Sequence, residues 1–560
     1  MADLTKTPEL QEPSNTGDGK QRLGWALVLI SIAQLMVVLD STIANIALPY
    51  IGKDLSITQT NLQWIVTGYA LAFGGLLLLG GRLGDLYGRR RIFMTGVTVF
   101  AVASLLGGLA QSEGLLLGAR GLQGLGAALA SPAALALITT TFPAGPARNR
   151  AFAVYAAMSG AGAAVGLILG GWLTGQSFDL LGIDVHGWRL TFLINVPIGL
   201  AAAFLAPRVL PESESHPGEL DIPGAFSGTA GLLALVYGLT RAGNQNYGWG
   251  DTWTITSLVA GAAFLVVFGI IESRVKHPLL PFRIFANQTR AASFLAMMLM
   301  PAAMFSMFFF LSLFIQNVMG YSPLKAGFAF LPFSFGIVIS ATIVSSLVNR
   351  IDARYIAGVG TLMASFALWG FSRLSVPDDA NAVLNSLTTG QNMGSDVSYW
   401  TQILPYIVIM ALGMGAVFVP LTLTAVHHVK AEDSGIGSGV LNTMQQVGGA
   451  LGLATLSTVA AHFGTNHAEK IGPGIAKGLT EASQSNQALS GQLMDKLGVD
   501  SFGAVIQRVT EFGSFPDGAT HAFFIGTFMM LGASLVTWLF LNVKHTELAT
   551  DGPEAAVHVG

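Results

Sequence analysis

The chain reads as an all-α integral membrane protein, and three observations lead there. Hydrophobic residues make up 52% of its 560 residues and charged residues only 11%, with a mean hydropathy of +0.59. A soluble domain carries about 25% charged residues, so several soluble domains of this total length would lack polar surface. The apolar residues also gather into fourteen runs, each near the roughly 20 residues that cross a bilayer as a helix. Runs of that length are too long for barrel strands, and a helix satisfies its own backbone in lipid.

The expected spans are 23–49, 61–81, 92–111, 114–140, 150–175, 188–207, 222–242, 253–273, 290–318, 324–348, 354–373, 401–428, 437–463 and 520–542. The 68 glycines suit such a bundle, because Gly lets membrane helices approach closely. An even number of spans puts both termini on one side. With the N-terminus inside, 18 of the 28 Lys and Arg fall in inner segments, among them Arg82, Arg89, Arg90, Arg91, Arg148, Arg208, Arg274 and Arg350. The short outer loops hold only Lys53, Arg189, Arg241, Lys325 and Arg373. The positive-inside rule therefore predicts N-in, C-in. The first span is long and lacks an A-x-A-like cleavage site after it, so it is read as a retained signal anchor. The outer segment 464–519 is polar, and helix formers across 479–511 predict one or two surface helices there.

Two ionisable residues lie inside spans, where charge is expensive and is a functional-site hypothesis by default. Asp40 lies about 17 residues into the first span, about 25 Å from its inner end at about 1.5 Å per residue. Arg120 enters from the outer side and lies about 9 Å deep on the same rise. Their depths match, which permits a contact. Desolvation favours a neutral carboxyl and a nearby cation favours the charged one. Moving Arg120 or a cationic substrate relative to Asp40 would thus change its protonation, as a proton-coupled carrier requires. A purely structural ion pair is the plainer reading.

Between the second and third spans the chain reads Gly81-Arg82-Leu83-Gly84-Asp85-Leu86-Tyr87-Gly88-Arg89-Arg90-Arg91. Gly84 and Gly88 permit a tight loop. Asp85, Arg89 and Arg90 make a charge cluster able to lock two bundles in one state and release them in another. This pattern resembles the signature between spans two and three of the major facilitator superfamily. Leu39-Asp40-Ser41-Thr42-Ile43-Ala44-Asn45-Ile46-Ala47-Leu48-Pro49 is similar to the first-span signature of its 14-span drug:proton antiporter branch. Arg120-Gly121-Leu122-Gln123-Gly124-Leu125-Gly126 resembles the fourth-span motif, and Trp188-Arg189 followed by Ile194-Asn195-Val196-Pro197 the sixth span. Gly437-Ser438-Gly439-Val440-Leu441-Asn442-Thr443 and Gln446-Val447-Gly448-Gly449 extend the likeness late in the chain. One motif departs. The fifth span carries Gly162, Gly166, Gly170 and Gly171 of the antiporter signature, but Leu167 stands where the family has proline. That removes a built-in kink and weakens the inference that this motif enforces antiport.

The resemblance implies two six-helix halves, 23–207 and 290–542, flanking two inserted central helices in 222–273. A cytoplasmic tail over 1–22, a charged linker over 208–222 and a second tail over 543–560 complete the plan. It also implies a multi-pass transporter of a bacterial cytoplasmic membrane. Small molecules and protons would be the partners, with Asp40, Arg120, Asn45 and Gln123 at the coupling or substrate site. Gln34, Trp64, Tyr69, Asn195, Gln316, Asn442 and Gln446 are candidate cavity residues, each with hydrogen bonding or packing between helices as the plainer role. Met297, Met298, Met304 and Met307 with Phe305 and Phe308–Phe310 form a soft ninth span that suits an adaptable pocket, with lipid-facing or core packing as the plainer role.

Other classes find no support in the residues. The net charge of −3 points to no nucleic acid, and the absence of cysteine excludes disulfides and thiolate metal sites. There is no P-loop and no His-Glu-x-x-His, so neither ATP, a metal nor another cofactor is expected. Gly435-Ile436-Gly437-Ser438-Gly439 sets its serine one place too late for a nucleophile elbow. The expectation is a monomeric, non-enzymatic proton-coupled exporter of amphipathic, cationic or aromatic drugs or metabolites. A proton-coupled importer or facilitator on the same fold is the alternative, and a non-transporting sensor or scaffold is the alternative of another class.

Overall fold

A computed structural model describes residues 16–550 apart from 144–145, 181–182, 213–218, 245, 378, 390–391, 428–433, 486 and 498–500. Most of the two expected tails and the middle of the linker lie outside the described residues.

The first bundle comprises α1 (Thr16–Asp54), the short α2 (Gln59–Leu62), α3 (Trp64–Tyr87), α4 (Arg89–Gly108), α5 (Glu113–Thr141), α6 (Pro146–Thr174), α7 (Trp188–Leu193) and α8 (Asn195–Val209). A helix pair follows, α9 (Ile222–Ala242) and α10 (Thr252–Arg274). The second bundle holds α11 (Gln288–Leu313), α12 (Pro323–Leu347), α13 (Ala353–Phe371), α14 (Ala380–Thr389), α15 (Leu404–Val426), α16 (Ser434–Ser485), α17 (Gln487–Leu497) and α18 (Phe502–Phe540), and α19 (His545–Thr550) ends the described chain. Caps set several starts: Ser112, Asp251, Asn287, Ser322 and Ser501 each accept a backbone N–H three residues on.

Twelve helical stretches among the described residues are long and apolar enough to cross a membrane. The other two expected spans coincide with α6, whose described apolar stretch is Gly162–Thr174, and with α13. α9 and α10 pack chiefly on each other, and α9 also touches α3 and α16. One buried cluster is drawn wholly from residues 26–210, with Met36, Phe93, Phe100 and Leu137 at its centre. The larger cluster belongs mainly to α11–α18. Within it Met297, Met300 and Met307 are fully buried, so these methionines pack the core rather than face a pocket.

Three elements differ from expectation. The 81–91 segment is hardly a loop, since α3 continues to Tyr87 and α4 begins at Arg89. Gly88 alone makes the turn, at φ 97°, a conformation that any Cβ would penalise. The 464–519 segment is largely helical and continuous with the spans. α16 runs 52 residues without a break, about 78 Å at about 1.5 Å per residue, against a hydrocarbon core of about 30 Å. The projecting part is held by contacts of its own: Gly478 lies against Leu384 of α14, and Gly513 of α18 against Val383. Finally, an unexpected two-stranded antiparallel ribbon pairs Ser177 with His186 and Leu180 with Ile183.

The turn between α12 and α13 is pinned to the C-terminal end of the chain. Asp352 accepts hydrogen bonds from the His545 backbone N–H and from His545 Nδ1, both at 2.8 Å. The backbone bond first, then the ring, holds the Asp352 carboxyl below its usual range. Arg354 meanwhile reaches Asn542 at 3.2 Å.

Candidate functional site

Asp40 and Arg120 meet. Arg120 Nη1 stands 2.5 Å from Asp40 Oδ2, and each side chain is 1% exposed. The other carboxylate oxygen, Oδ1, accepts from Gln123 Nε2 at 2.9 Å and from Asn195 Nδ2 at 3.0 Å. Gln123 serves both partners, since its Oε1 accepts from Arg120 Nη1 at 2.9 Å. It also donates to Ser104 Oγ at 2.8 Å. Arg120 Nε donates to the Ile65 carbonyl at 2.7 Å. The guanidinium carbon lies 4.5 Å from the Tyr69 ring centroid and 5.7 Å from that of Phe192, where the ring faces favour a cation. Six helices of one bundle thus close on a single ion pair. A pair so buried has lost its hydration, and removing one partner costs about 3–5 kcal/mol by stranding the other.

Helix packing sets this geometry. A Cβ on Gly162 would lie 3.0 Å from Leu35, one on Gly166 would strike Thr42, and one on Gly170 would lie 3.0 Å from the Ile43 Cα. Three glycines of the fifth-span motif therefore let α6 lie directly along the stretch of α1 that carries Asp40. Gly171 serves the other bundle, where its Cβ would stand 2.5 Å from the Pro323 carbonyl of α12. Leu167 is buried at 1% exposure, and α6 runs unbroken through it.

Asn45 works through its backbone. Its side-chain Nδ2 bonds only its own helix, to the Ser41 carbonyl at 2.9 Å. Pro49, four residues on, has no N–H to give the Asn45 carbonyl. Ser312 Oγ of α11 fills that vacancy at 3.0 Å, and Gln316 Nε2 donates to the Ile46 carbonyl beside it at 3.1 Å. The two bundles are clasped here by hydrogen bonds to backbone that a proline has loosened. The α6–α12 contact at Gly171 lies at the same end of the molecule.

The 81–91 cluster sits at the opposite end. Asp85 pairs with Arg89 at 3.2 Å on consecutive helices of one bundle. Arg89 also reaches the Ala136 carbonyl of α5 at 3.3 Å. Arg90 holds Glu212 at 3.2 Å and the Leu210 carbonyl at 3.0 Å. These described contacts tie α3, α4, α5 and the start of the linker together, whereas the sequence had assigned the cluster a lock between bundles.

The remaining candidates scatter. Gln34 accepts from Tyr155 at 2.7 Å, lower on α1. Trp64 packs against Ala70, Val236, Ala450 and Ala454, at the junction of α3, α9 and α16. Gln446 lies where α16 crosses Gly74, and Asn442 is exposed and bonds the Ser438 carbonyl of its own helix. Sequence reasoning missed Ser104, Phe192 and the Ile65 carbonyl. A serine and a phenylalanine in apolar spans carry no pattern, and a backbone carbonyl has none to carry. Two polar atoms beside the pair, Tyr69 Oη and Asn195 Oδ1, are buried without a hydrogen-bond partner among the described residues.

Two clasped helical bundles with a sealed intramembrane acid–base pair define a secondary transporter of the two-bundle type. The family model of the Major Facilitator Superfamily matches residues 30–453, and the chain belongs to that superfamily. It is 42% identical over 442 residues to the puromycin resistance protein pur8 of Streptomyces alboniger, covering 78% of this chain and 82% of that one. It is 38% identical to the cephamycin export protein CmcT of Amycolatopsis lactamdurans, covering 78% and 84%. Tetracenomycin C resistance and export protein of Streptomyces glaucescens is 33% identical, covering 82% and 81%. Among solved structures, a bacterial homologue of the human lysosomal transporter Spinster, inward-facing and occupied, superposes with a TM-score of 0.60 at 17% identity, covering 92% and 96%. That likeness shows the fold.

The ion pair predicts a specific mutational pattern. Arg120→Ala should strand the Asp40 carboxylate and lower the yield of folded, monodisperse protein at least several-fold. Asp40→Asn combined with Arg120→Gln removes both charges and should restore the yield. Fluorescence-detected size exclusion reads both, and a double variant no better folded than Arg120→Ala would show that the uncompensated charge is not the cause.

Proposed function

We propose that the protein is a proton-coupled exporter of amphipathic, cationic or aromatic drugs or metabolites in a bacterial cytoplasmic membrane. The sealed Asp40–Arg120 pair carries the reading. A proton arriving on Asp40 neutralises the carboxylate, so Arg120 keeps only the Ile65 carbonyl and Gln123 as polar partners. α1 then loses its strongest tie to α5. The same helix carries the Asn45 and Ile46 carbonyls that Ser312 and Gln316 clasp, so a shift of α1 reaches the end where the bundles close. No substrate cation reaches Asp40 through a shell this tight, and we therefore assign Asp40 to the proton and leave substrate contact to surfaces between the bundles. The export reading is supported by the names of the relatives, which concern puromycin, cephamycin and tetracenomycin C.

The arrangement we propose has fourteen spans, the twelve plus α6 and α13, with both termini inside. It follows from the arginine distribution and makes the clasped end the outer one. The chain lacks cysteine, so single cysteines report on an otherwise native background. Ala147→Cys, Ser273→Cys and Asn349→Cys should react with an impermeant thiol reagent only in everted vesicles. Ser177→Cys, Ser483→Cys and Asn381→Cys should react in intact cells. Labelling of 147 and 177, or of 349 and 381, from one side would remove a span.

Transport itself is tested in everted vesicles energised by respiration, with an internal pH probe and a panel of cationic dyes. Dye-dependent loss of the pH gradient that disappears in Asp40→Asn is the expected result. Undiminished proton-driven export by Asp40→Asn would remove Asp40 from coupling. The importer or facilitator reading, which the unkinked α6 at Leu167 favours, predicts dye movement without proton counterflow.

A further inference from the structure

The strongest feature outside the Asp40 site lies where α9 begins and α10 ends, and there two carboxyl groups are buried together. Asp221 caps α9 and Glu272 lies in the last turn of α10, and each residue is 3% exposed. One oxygen of each is satisfied by a backbone donor: Asp221 Oδ1 accepts the Gly224 N–H at 2.8 Å, and Glu272 Oε2 accepts the Leu280 N–H at 2.9 Å. The other two oxygens, Asp221 Oδ2 and Glu272 Oε1, are buried without a hydrogen-bond partner among the described residues. Both face the space over Gly224. A Cβ there would stand 2.9 Å from Glu272 Oε1 and nearer still to Asp221 Oδ2, so the two oxygens lie within about 6 Å of each other, a range in which buried like charges resist joint ionisation.

Two orphan acceptors converging in a buried site need one donor between them. Near the pair in the chain, Glu219, Arg274, Lys276, His277 and Arg283 are exposed, and Arg241 of α9 pairs with Asp251 at the far end of the α9–α10 pair. On α3, which packs against α9, Arg82 and Asp85 lie in the last turns, and the described contact of Asp85 is with Arg89. None of these is described in contact with the pair, so among the described contacts no cation replaces the missing donor. We propose that Asp221 and Glu272 form a second protonatable site, holding a single proton between Asp221 Oδ2 and Glu272 Oε1.

One O–H bond forms on either carboxyl and donates to the other, and the pair keeps one negative charge. The shared proton joins the end of the linker to the segment that leaves α10 for the second bundle, because Asp221 and Glu272 anchor those two stretches through Gly224 and Leu280. Aspartic-protease dyads show the same physics, with two close carboxyls that cannot both ionise. Here no substrate enters, and the proton ties two chain segments.

Infrared spectroscopy of the full chain in lipid nanodiscs tests the proposal. At neutral pH the wild-type protein should show a protonated-carboxyl C=O band that shifts in heavy water. Carboxyl-¹³C labelling of Glu or of Asp should move it, a readout that needs no variant. Glu272→Gln and Asp221→Asn, which keep the shape and offer an amide donor, should each abolish the band, while Asp40→Asn keeps it. Absence of the band in wild type, or its survival in either of the two variants, would overturn the proposal. So would a band that appears only after sodium and magnesium are dialysed away, because the occupant would then be a metal cation.

Discussion

An ionised carboxylate this deep in an apolar bundle is tolerable only when donors enclose it completely, and the first bundle is arranged around that requirement. Asp40 receives three side-chain donors, from Arg120, Gln123 and Asn195, which come from α5 and α8. Arg120 in turn is fixed by the Ile65 carbonyl and by two aromatic faces. Because both charges have lost their water, neither can leave without the other changing state. That interdependence is what a coupling site needs: a proton on one oxygen alters the balance of six helices at once.

The ion pair reaches the rest of the molecule through α1. On one side the glycines of α6 lie against its residues 35–43, so the helix that carries the charge is also packed without side-chain cushioning. Towards its end, Pro49 leaves the Asn45 carbonyl without a helical donor, and Ser312 and Gln316 of the second bundle supply the region instead. Hydrogen bonds of this kind are cheaper to exchange than a continuous helix ladder, because the freed carbonyl accepts from whichever donor is near. The clasp is therefore both specific and releasable. At the other end, the arginine-rich turn stays within its own bundle and linker in its described contacts. The bundles are also joined along α3 and α16, where Gly74 meets Gln446 and Gly439 meets Leu78.

Much of this was legible in the chain. Segment length and the scarcity of charge gave the spans, and equal depths for Asp40 and Arg120 made their meeting foreseeable. Gln123 and Asn195 stood out as polar residues in apolar helices. What was not legible has physical causes. The value of Asn45 lies in its carbonyl, which the residue name does not report, and only the pairing of Pro49 with Ser312 reveals it. Ser104 and Phe192 belong to no periodicity. Trp64, Gln446 and Asn442 were candidates for which packing or hydrogen bonding was the plainer role, and they lie at a helix junction, at the α3–α16 crossing and on an exposed face. The 464–519 segment misled in another way. Its polarity predicts helices outside the membrane but not that α16 and α18 run straight out of it, a continuity fixed by their contacts with α14. The Asp221–Glu272 pair was invisible, because nothing in two acids about fifty residues apart says that they converge over one glycine.

The central claim is that Asp40 exchanges its proton as substrate binds. The most direct measurement is proton release by the purified protein in weakly buffered detergent or nanodisc solution, read with a pH indicator while a transported compound is added. The account predicts that wild-type protein releases protons in proportion to bound substrate, and that Asp40→Asn binds the same compound without release. Release of equal size from both proteins, or none from the wild type at saturating substrate, would contradict it.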